Sequence, residues 1–173
     1  AIGEVGCYSF YPSKNLGCYG DGGMMVTSSD KVYKKLTALK NHGSTEKYQH
    51  DILGFNSRLD EIQASILRVK LKYIDKCNDK RRSIAKLYNE LLLNVGDIRT
   101  PLNDSSEHVY HQYTITSTTR NEIQHALARN DIATAINYPN PLHKQAAFTS
   151  PENNYSLKNT EIICDKCLSL PMY

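Results

Sequence analysis

Short runs of β-formers are interspersed along the chain with stretches in which apolar positions fall at helical spacing. Gly6 to Phe10 reads as a short strand, and Gly22 to Thr27 as another, entered through a glycine turn. Ser28 or Ser29 can cap a helix from about Asp30 to Asn41, with Val32, Leu36 and Leu39 on one face and His42-Gly43 ending it. Residues 44–55 lack either period and read as a loop. Ser57-Arg58-Leu59-Asp60 resembles a capping box ahead of an apolar run. Ile62, Ile66, Val69 and Tyr73 then follow at steps of three to four. Neither Gly nor Pro occurs from Ser57 to Val95, so one long helix, or two joined near Asp75–Asn78, fills that span. Arg68, Lys70, Lys72, Lys76, Lys80 and Arg81 give it the charged surface of a helix bridging two lobes.

Thr100-Pro101 breaks the pattern, and a second small lobe begins near there. His108 to Thr116 is rich in β-formers, and alternation puts Val109, His111, Tyr113 and Ile115 on one face. Arg120 to Arg129 reads as a helix on Ile123, Ala126 and Leu127, and Ile132 to Ile136 as a strand. Pro139, Pro141 and Pro151 mark a loop-rich stretch, and Leu157 to Cys167 reads as a last helix. No internal repeat is visible. The elements predict an α/β chain in three parts: 1–56, a helical 57–95, and an α+β portion 96–173. The strands at 6–10 and 22–27 need neighbours that the pattern does not supply. With alanine first, the expectation is a C-terminal portion of a larger protein.

Composition narrows the class without naming it. Hydrophobic residues make up 40% and charged residues 23%, as in a soluble globular chain. No apolar run nears the roughly 18 residues of a membrane span, and no signal segment opens the chain. A cytoplasmic protein is expected. Lys+Arg number 21 against Asp+Glu 18, a net charge of +3 that gives no basic stripe for nucleic acid. The short basic runs Lys70-Leu71-Lys72 and Lys80-Arg81-Arg82 read as solvated helix faces.

The five cysteines, Cys7, Cys18, Cys77, Cys164 and Cys167, are odd in number and irregular in spacing, which argues against a disulfide framework. Cys164-x-x-Cys167 invites a zinc or thiol-redox reading. Zinc needs about four ligands, however, and no second pair stands opposite, so no metal is expected. His108 and His111 would point to opposite faces of a strand.

One lysine carries the candidate chemistry. Lys14 follows a short apolar segment, sits among small residues and precedes Asp21-Gly22-Gly23. Imine formation needs a neutral amine, which desolvation or a nearby cation provides. Ser9, five residues earlier, ends the strand with a hydroxyl suited to a phosphate oxygen. On spacing alone, an ordinary loop lysine and a strand-end serine stay open as the alternative.

The wider pattern is more specific. Ser9-Phe10-Tyr11-Pro12-Ser13-Lys14-Asn15-Leu16-Gly17, followed by Gly20-Asp21-Gly22-Gly23, resembles the lysine segment of the DegT/DnrJ nucleotide-sugar aminotransferases, fold-type I pyridoxal phosphate enzymes. Asn41-His42-Gly43, Gly54 through Ala64, Arg81-Arg82, His108 through Tyr113, Tyr138 through His143 and Ser169 through Met172 fit in the same order, so the resemblance runs from Ala1 to Tyr173. It implies that residues 1–56 end a large cofactor-binding domain, that 57–95 bridge, and that 96–173 form the small C-terminal domain.

The resemblance also implies roles. Lys14 would form the Schiff base with pyridoxal 5'-phosphate and move the proton during transfer. Ser9 would bind the cofactor phosphate, and Asn56 would reach the phosphate of a neighbouring subunit in a homodimer. His42, Tyr138 and His143 would contact substrate, although Tyr138 beside Pro139 also reads as a turn residue and His42 as a helix end. The implied substrates are a keto-sugar nucleotide and an amino acid donor, glutamate by expectation, in amino-sugar synthesis for polysaccharide or a glycosylated metabolite. Two departures stand out. Asn137-Tyr138-Pro139 replaces the family's common His-Tyr-Pro. The family's aspartate for the pyridine nitrogen, its stacking aromatic and its phosphate loop all precede the lysine segment, whereas Ala1 lies thirteen residues before Lys14. The chain alone is therefore expected to hold the cofactor weakly or not at all. A rival expectation is a truncated remnant without catalysis, acting as a binding or assembly module.

Overall fold

The structure is a computed structural model, and it describes residues 1–102, 107–148 and 156–173. It divides into two compact units, Ala1–Cys77 and Asn78–Tyr173.

In the first unit, β1 (Gly6–Ser9) and β2 (Gly23–Val26) pair with each other antiparallel, Gly6 opposite Val26 and Ser9 opposite Gly23. They pair with each other and, among the described residues, with no third strand, so the further neighbours that the pattern leaves unsupplied are not found there. Helix α1 (Asp30–Lys40) follows. Ser29 caps it, its side chain accepting from the Val32 amide at 3.4 Å. The expected loop at 44–55 instead contains a small hairpin of β3 (Ser44–Glu46) and β4 (Gln49–His50), turned at Tyr48 with φ 67°. Period alone does not reveal a hairpin of three and two residues.

Helix α2 (Glu61–Leu71) starts later than the capping-box pattern predicts, and Asp60 makes no side-chain cap. The reason is tertiary. The Phe55 and Ser57 amides donate to Leu39 and Lys40 carbonyls at 2.7 and 2.9 Å, and this holds residues 55–57 against the end of α1. Helix α3 (Ile74–Leu91) follows. The break falls at Lys72–Tyr73, ahead of the expected joint, where the Lys72 and Tyr73 amides both donate back three residues. Such i to i−3 bonds tighten and end a helix. Beyond Leu91, Asn94 and Gly96 adopt positive φ, so the helix does not reach Val95.

In the second unit, β5 (Tyr113–Thr116) pairs antiparallel with β6 (Cys167–Leu170), with Ile115 opposite Leu168. Arg99 bridges Thr116 on one side and Ala135 bridges Ser169 on the other. Helices α4 (Arg120–Ala128) and α5 (Lys158–Lys166) match the expected spans to within a residue or so, and a 3-10 turn covers Leu142–Lys144. Pro151 lies outside the described residues.

Two strand expectations shrink. Residues 108–112 are not strand: Tyr110 has φ 43°, and the Arg81 guanidinium donates to its carbonyl at 3.0 Å, so that carbonyl goes to α3 rather than a ladder. The strand expected at 132–136 reduces to the Ala135 bridge. The Ile132 amide donates to Leu127 at 3.0 Å, which commits that residue to the end of α4.

The core of the second unit gathers Ala85, Tyr110, Tyr113, Ile115, Leu168 and Met172. Tyr88 stacks on Tyr113 at 4.9 Å between ring centroids. Its hydroxyl donates to Pro171 at 2.9 Å, and that of Tyr113 donates to Asn89 at 2.5 Å. A buried phenol carries a large apolar area and still needs a polar partner, which each finds here.

Candidate active site

The Lys14 loop joins β1 to β2, and it closes on itself. The Phe10 amide donates to the Gly22 carbonyl at 2.8 Å, the Cys18 amide to Phe10 at 2.9 Å, and the Lys14 amide to Tyr11 at 2.9 Å. Cys18 is fully buried. Gly17 makes the turn feasible, since a Cβ there would lie 2.5 Å from the Pro12 carbonyl oxygen and 2.7 Å from that of Tyr11. Lys14 is half-buried on this turn.

Ser9 ends β1 in an exposed position, and its hydroxyl accepts the Tyr11 amide at 3.3 Å. Tyr11 thus ties both candidates into one loop: its amide meets Ser9 and its carbonyl meets Lys14. This donor set suits pyridoxal phosphate, with an amine for the aldehyde and, on the same short segment, a hydroxyl with capacity left for a phosphate oxygen.

Asn56 lies just before α2, bridges Asn41, and accepts from Arg58 Nε at 3.0 Å. It lines a cavity of about 780 Å³ formed by β1, β2, α1 and residues 56–59, with Tyr8, Phe10, Met24, Tyr33 and Lys40 among its walls. Phe10, Asp21 and Gly22 of the lysine loop share that lining with Asn56, whereas Ser9 and Lys14 do not. His42 follows α1 with φ 60°; its amide donates to Phe55 at 2.8 Å and its carbonyl accepts from His50 Nδ1 at 3.0 Å. Its imidazole is exposed.

The other two candidates belong to the second unit. Tyr138 is 72% exposed. His143 sits on the 3-10 turn with Nε2 3.1 Å from Glu161, which also pairs with Lys144 Nζ at 2.7 Å. Hydrogen bonds from Lys144 and then His143 hold the Glu161 carboxyl below its ordinary value. Glu161 had no role in the sequence reading.

Helix α2 carries two further residues whose contacts the sequence does not announce. Gln63 accepts the Tyr19 amide at 2.7 Å, and the Lys70 ammonium donates to the Gly17 carbonyl at 2.5 Å while lying 5.2 Å from the Tyr19 ring centre. Lys70, expected on a solvated face, is half-buried. The seven-residue spacing of Gln63 and Lys70, two helical turns, is the one signal in the sequence that places them on a common face. Conversely, the apolar stripe stays largely uncovered, with Ile62 74%, Val69 58% and Tyr73 58% exposed. Among the described residues, no three His, Cys, Asp or Glu side chains gather as a metal site would require. No helix there is long and apolar enough to cross a membrane.

A closed turn carrying a lysine joins two strands, and helices and a mixed α/β unit follow. Over residues 1–173 the chain matches the DegT/DnrJ/EryC1/StrS aminotransferase family, and it belongs to that family. The family is pyridoxal-phosphate-dependent. Among relatives, a pleiotropic regulatory protein of Geobacillus stearothermophilus is 46% identical, over 99% of this chain and 48% of that protein. A UDP-N-acetyl-3-dehydro-alpha-D-glucosamine 3-aminotransferase of Acidithiobacillus ferrooxidans is 44% identical, over 100% of this chain and 47% of that protein. The crystal structure of S. venezuelae DesV in complex with a ketimine intermediate aligns with a TM-score of 0.90 at 38% identity, over 98% of this chain and 47% of that one. The chain spans about half the length of the curated relatives it matches.

Proposed function

We propose that this chain is part of a pyridoxal-phosphate-dependent aminotransferase that moves an amino group from an amino acid, glutamate in our reading, to a keto-sugar nucleotide. The closed turn that carries Lys14, tied through Tyr11 to the Ser9 hydroxyl, carries the reading. Membership of the family and the sugar-nucleotide relative support it. When bound, pyridoxal phosphate supplies an electron sink for the carbon that changes hands.

The protein's own part is positioning and proton handling. Lys14 Nζ takes and returns the proton at the reacting carbons, and Ser9 Oγ holds the phosphate. Asn56 serves the phosphate of a second copy, in a homodimer whose contact includes the uncovered face of Ile62, Val69 and Tyr73. His42, Tyr138 and His143 contact the sugar nucleotide. Residues 1–56 belong to the large domain, 57–95 bridge, and 96–173 form the small domain.

The test is transamination by the protein extended to the length of its relatives, with and without Lys14→Ala. General acid–base assistance is worth about 100- to 10,000-fold, and a loss of that size is expected. Undiminished turnover by the variant overturns the reading.

A second reading is favoured by one observation, the regulatory name of the 46% identical relative. In it the chain is a non-catalytic binding or assembly module. Absorbance of the protein extended to the length of its relatives separates the two: a saturable visible band on adding pyridoxal phosphate, lost in Lys14→Ala, supports the enzyme, and its absence there supports the module.

A further inference from the structure

We infer that Lys70, together with Gln63, is a positioning residue that sets where Lys14 presents its amine. The inference rests on the aminotransferase reading of Lys14. The exit of the lysine loop, residues 17–19, is gripped from two sides. On one side Cys18 is fully buried, its amide and thiol both donating to the Phe10 carbonyl at 2.9 Å. On the other, α2 takes the residues flanking Cys18: Lys70 Nζ donates to the Gly17 carbonyl at 2.5 Å, and the Tyr19 amide donates to Gln63 Oε1 at 2.7 Å.

Both ends of the turn are thus tied, Phe10 to the β2 side and Gly17–Tyr19 to the helix, and Lys14 lies between them. The two anchors are not equivalent. The ammonium-to-carbonyl bond is charge-assisted and the shorter of the two. Lys70 also lies 5.2 Å from the Tyr19 ring centre, so one cation binds residues on both sides of Cys18. A shift of α2 therefore moves the turn that carries the reactive amine. A reacting group displaced by about 1 Å can cost about 100-fold in rate.

The test uses Lys70→Met, which keeps the apolar stem and removes the donor, Lys70→Arg, which restores a donor, and Gln63→Leu. The exposed Lys76→Met is the control. The first readout is amide exchange in the cofactor-free protein. Exchange at the Lys14 and Cys18 amides should rise about tenfold in Lys70→Met and Gln63→Leu, with β1, β2 and α2 unchanged. The second is steady-state kinetics of the holoenzyme. There kcat should fall about tenfold or more with KM for the keto-sugar nucleotide within about twofold. Lys70→Arg should recover most of both.

Unchanged loop exchange, exchange raised across the whole first unit, or an arginine variant as impaired as the methionine variant each overturns the inference. Its failure is distinct from failure of the aminotransferase reading. A Lys14→Ala protein that retains transamination sinks that reading while leaving the exchange result at the loop intact.

Discussion

Cys18 is bound to Phe10 twice, its amide and its thiol both donating to the same carbonyl at 2.9 Å. These two hydrogen bonds between chain positions eight apart turn the lysine segment from an open connection into a closed turn. Everything proposed for Lys14 depends on the turn keeping its shape.

Gly17 is the position where the turn tolerates least. The Gly17→Ala Cβ would sit 2.5 Å from the Pro12 oxygen, against backbone that cannot swing aside. Overpacking of this kind costs about 1–3 kcal/mol. Thermal unfolding should show the loss, and reductive trapping of pyridoxal phosphate on Lys14 should fall with it.

Replacing Ser9 tests the phosphate role apart from the lysine. Hydrogen bonds to charged groups are worth about 1.5–3 kcal/mol, so Ser9→Ala should weaken pyridoxal phosphate binding about 10- to 100-fold. Thermal unfolding should barely change, because Ser9 is exposed and the bond its hydroxyl accepts from the Tyr11 amide is long at 3.3 Å. Spectrophotometric titration measures the first effect, and an unchanged affinity removes Ser9 from the site.

Tyr113 should make the second unit sensitive to alkali. Burial pushes its phenol up to about 12 from an ordinary 10.0, and burial also raises Tyr88 beside it. A raised folded-state value means that the unfolded chain gives up the proton first. The stability is whole below pH 10 and drains away as pH climbs through about 12. Denaturant unfolding across that window should show the decline, and Tyr113→Phe should flatten it.

Asp97 should behave in the opposite way. Hydrogen bonds from the Ser117 and Thr118 hydroxyls, then the Thr118 amide at 2.6 Å, hold its carboxyl at about 2 against an ordinary 3.8. A lowered folded-state value leaves the contribution complete above about pH 4 and removes it as pH falls toward 2. Asp97→Asn should lose that part of the acid dependence, as followed by circular dichroism in the second unit.

Local period located most helices well. Asp30–Lys40, Arg120–Ala128 and Lys158–Lys166 lie close to where their apolar spacing and flanking residues put them. It did less well wherever a distant group took over a backbone partner. Arg81 on the Tyr110 carbonyl cut short β5, and the end of α1 held residues 55–57 out of α2.

The order of residue types along the chain was enough to mark Lys14 as the candidate amine, Ser9 as its companion, and the family to which both belong. The folded backbone alone decided that Lys70 turns inward to the Gly17 carbonyl while Ile62, Val69 and Tyr73 stay uncovered. The reason is physical. Propensity and period act between neighbours a few positions apart, whereas a lysine fifty-three residues away bonds a loop carbonyl only once the chain has brought the two together.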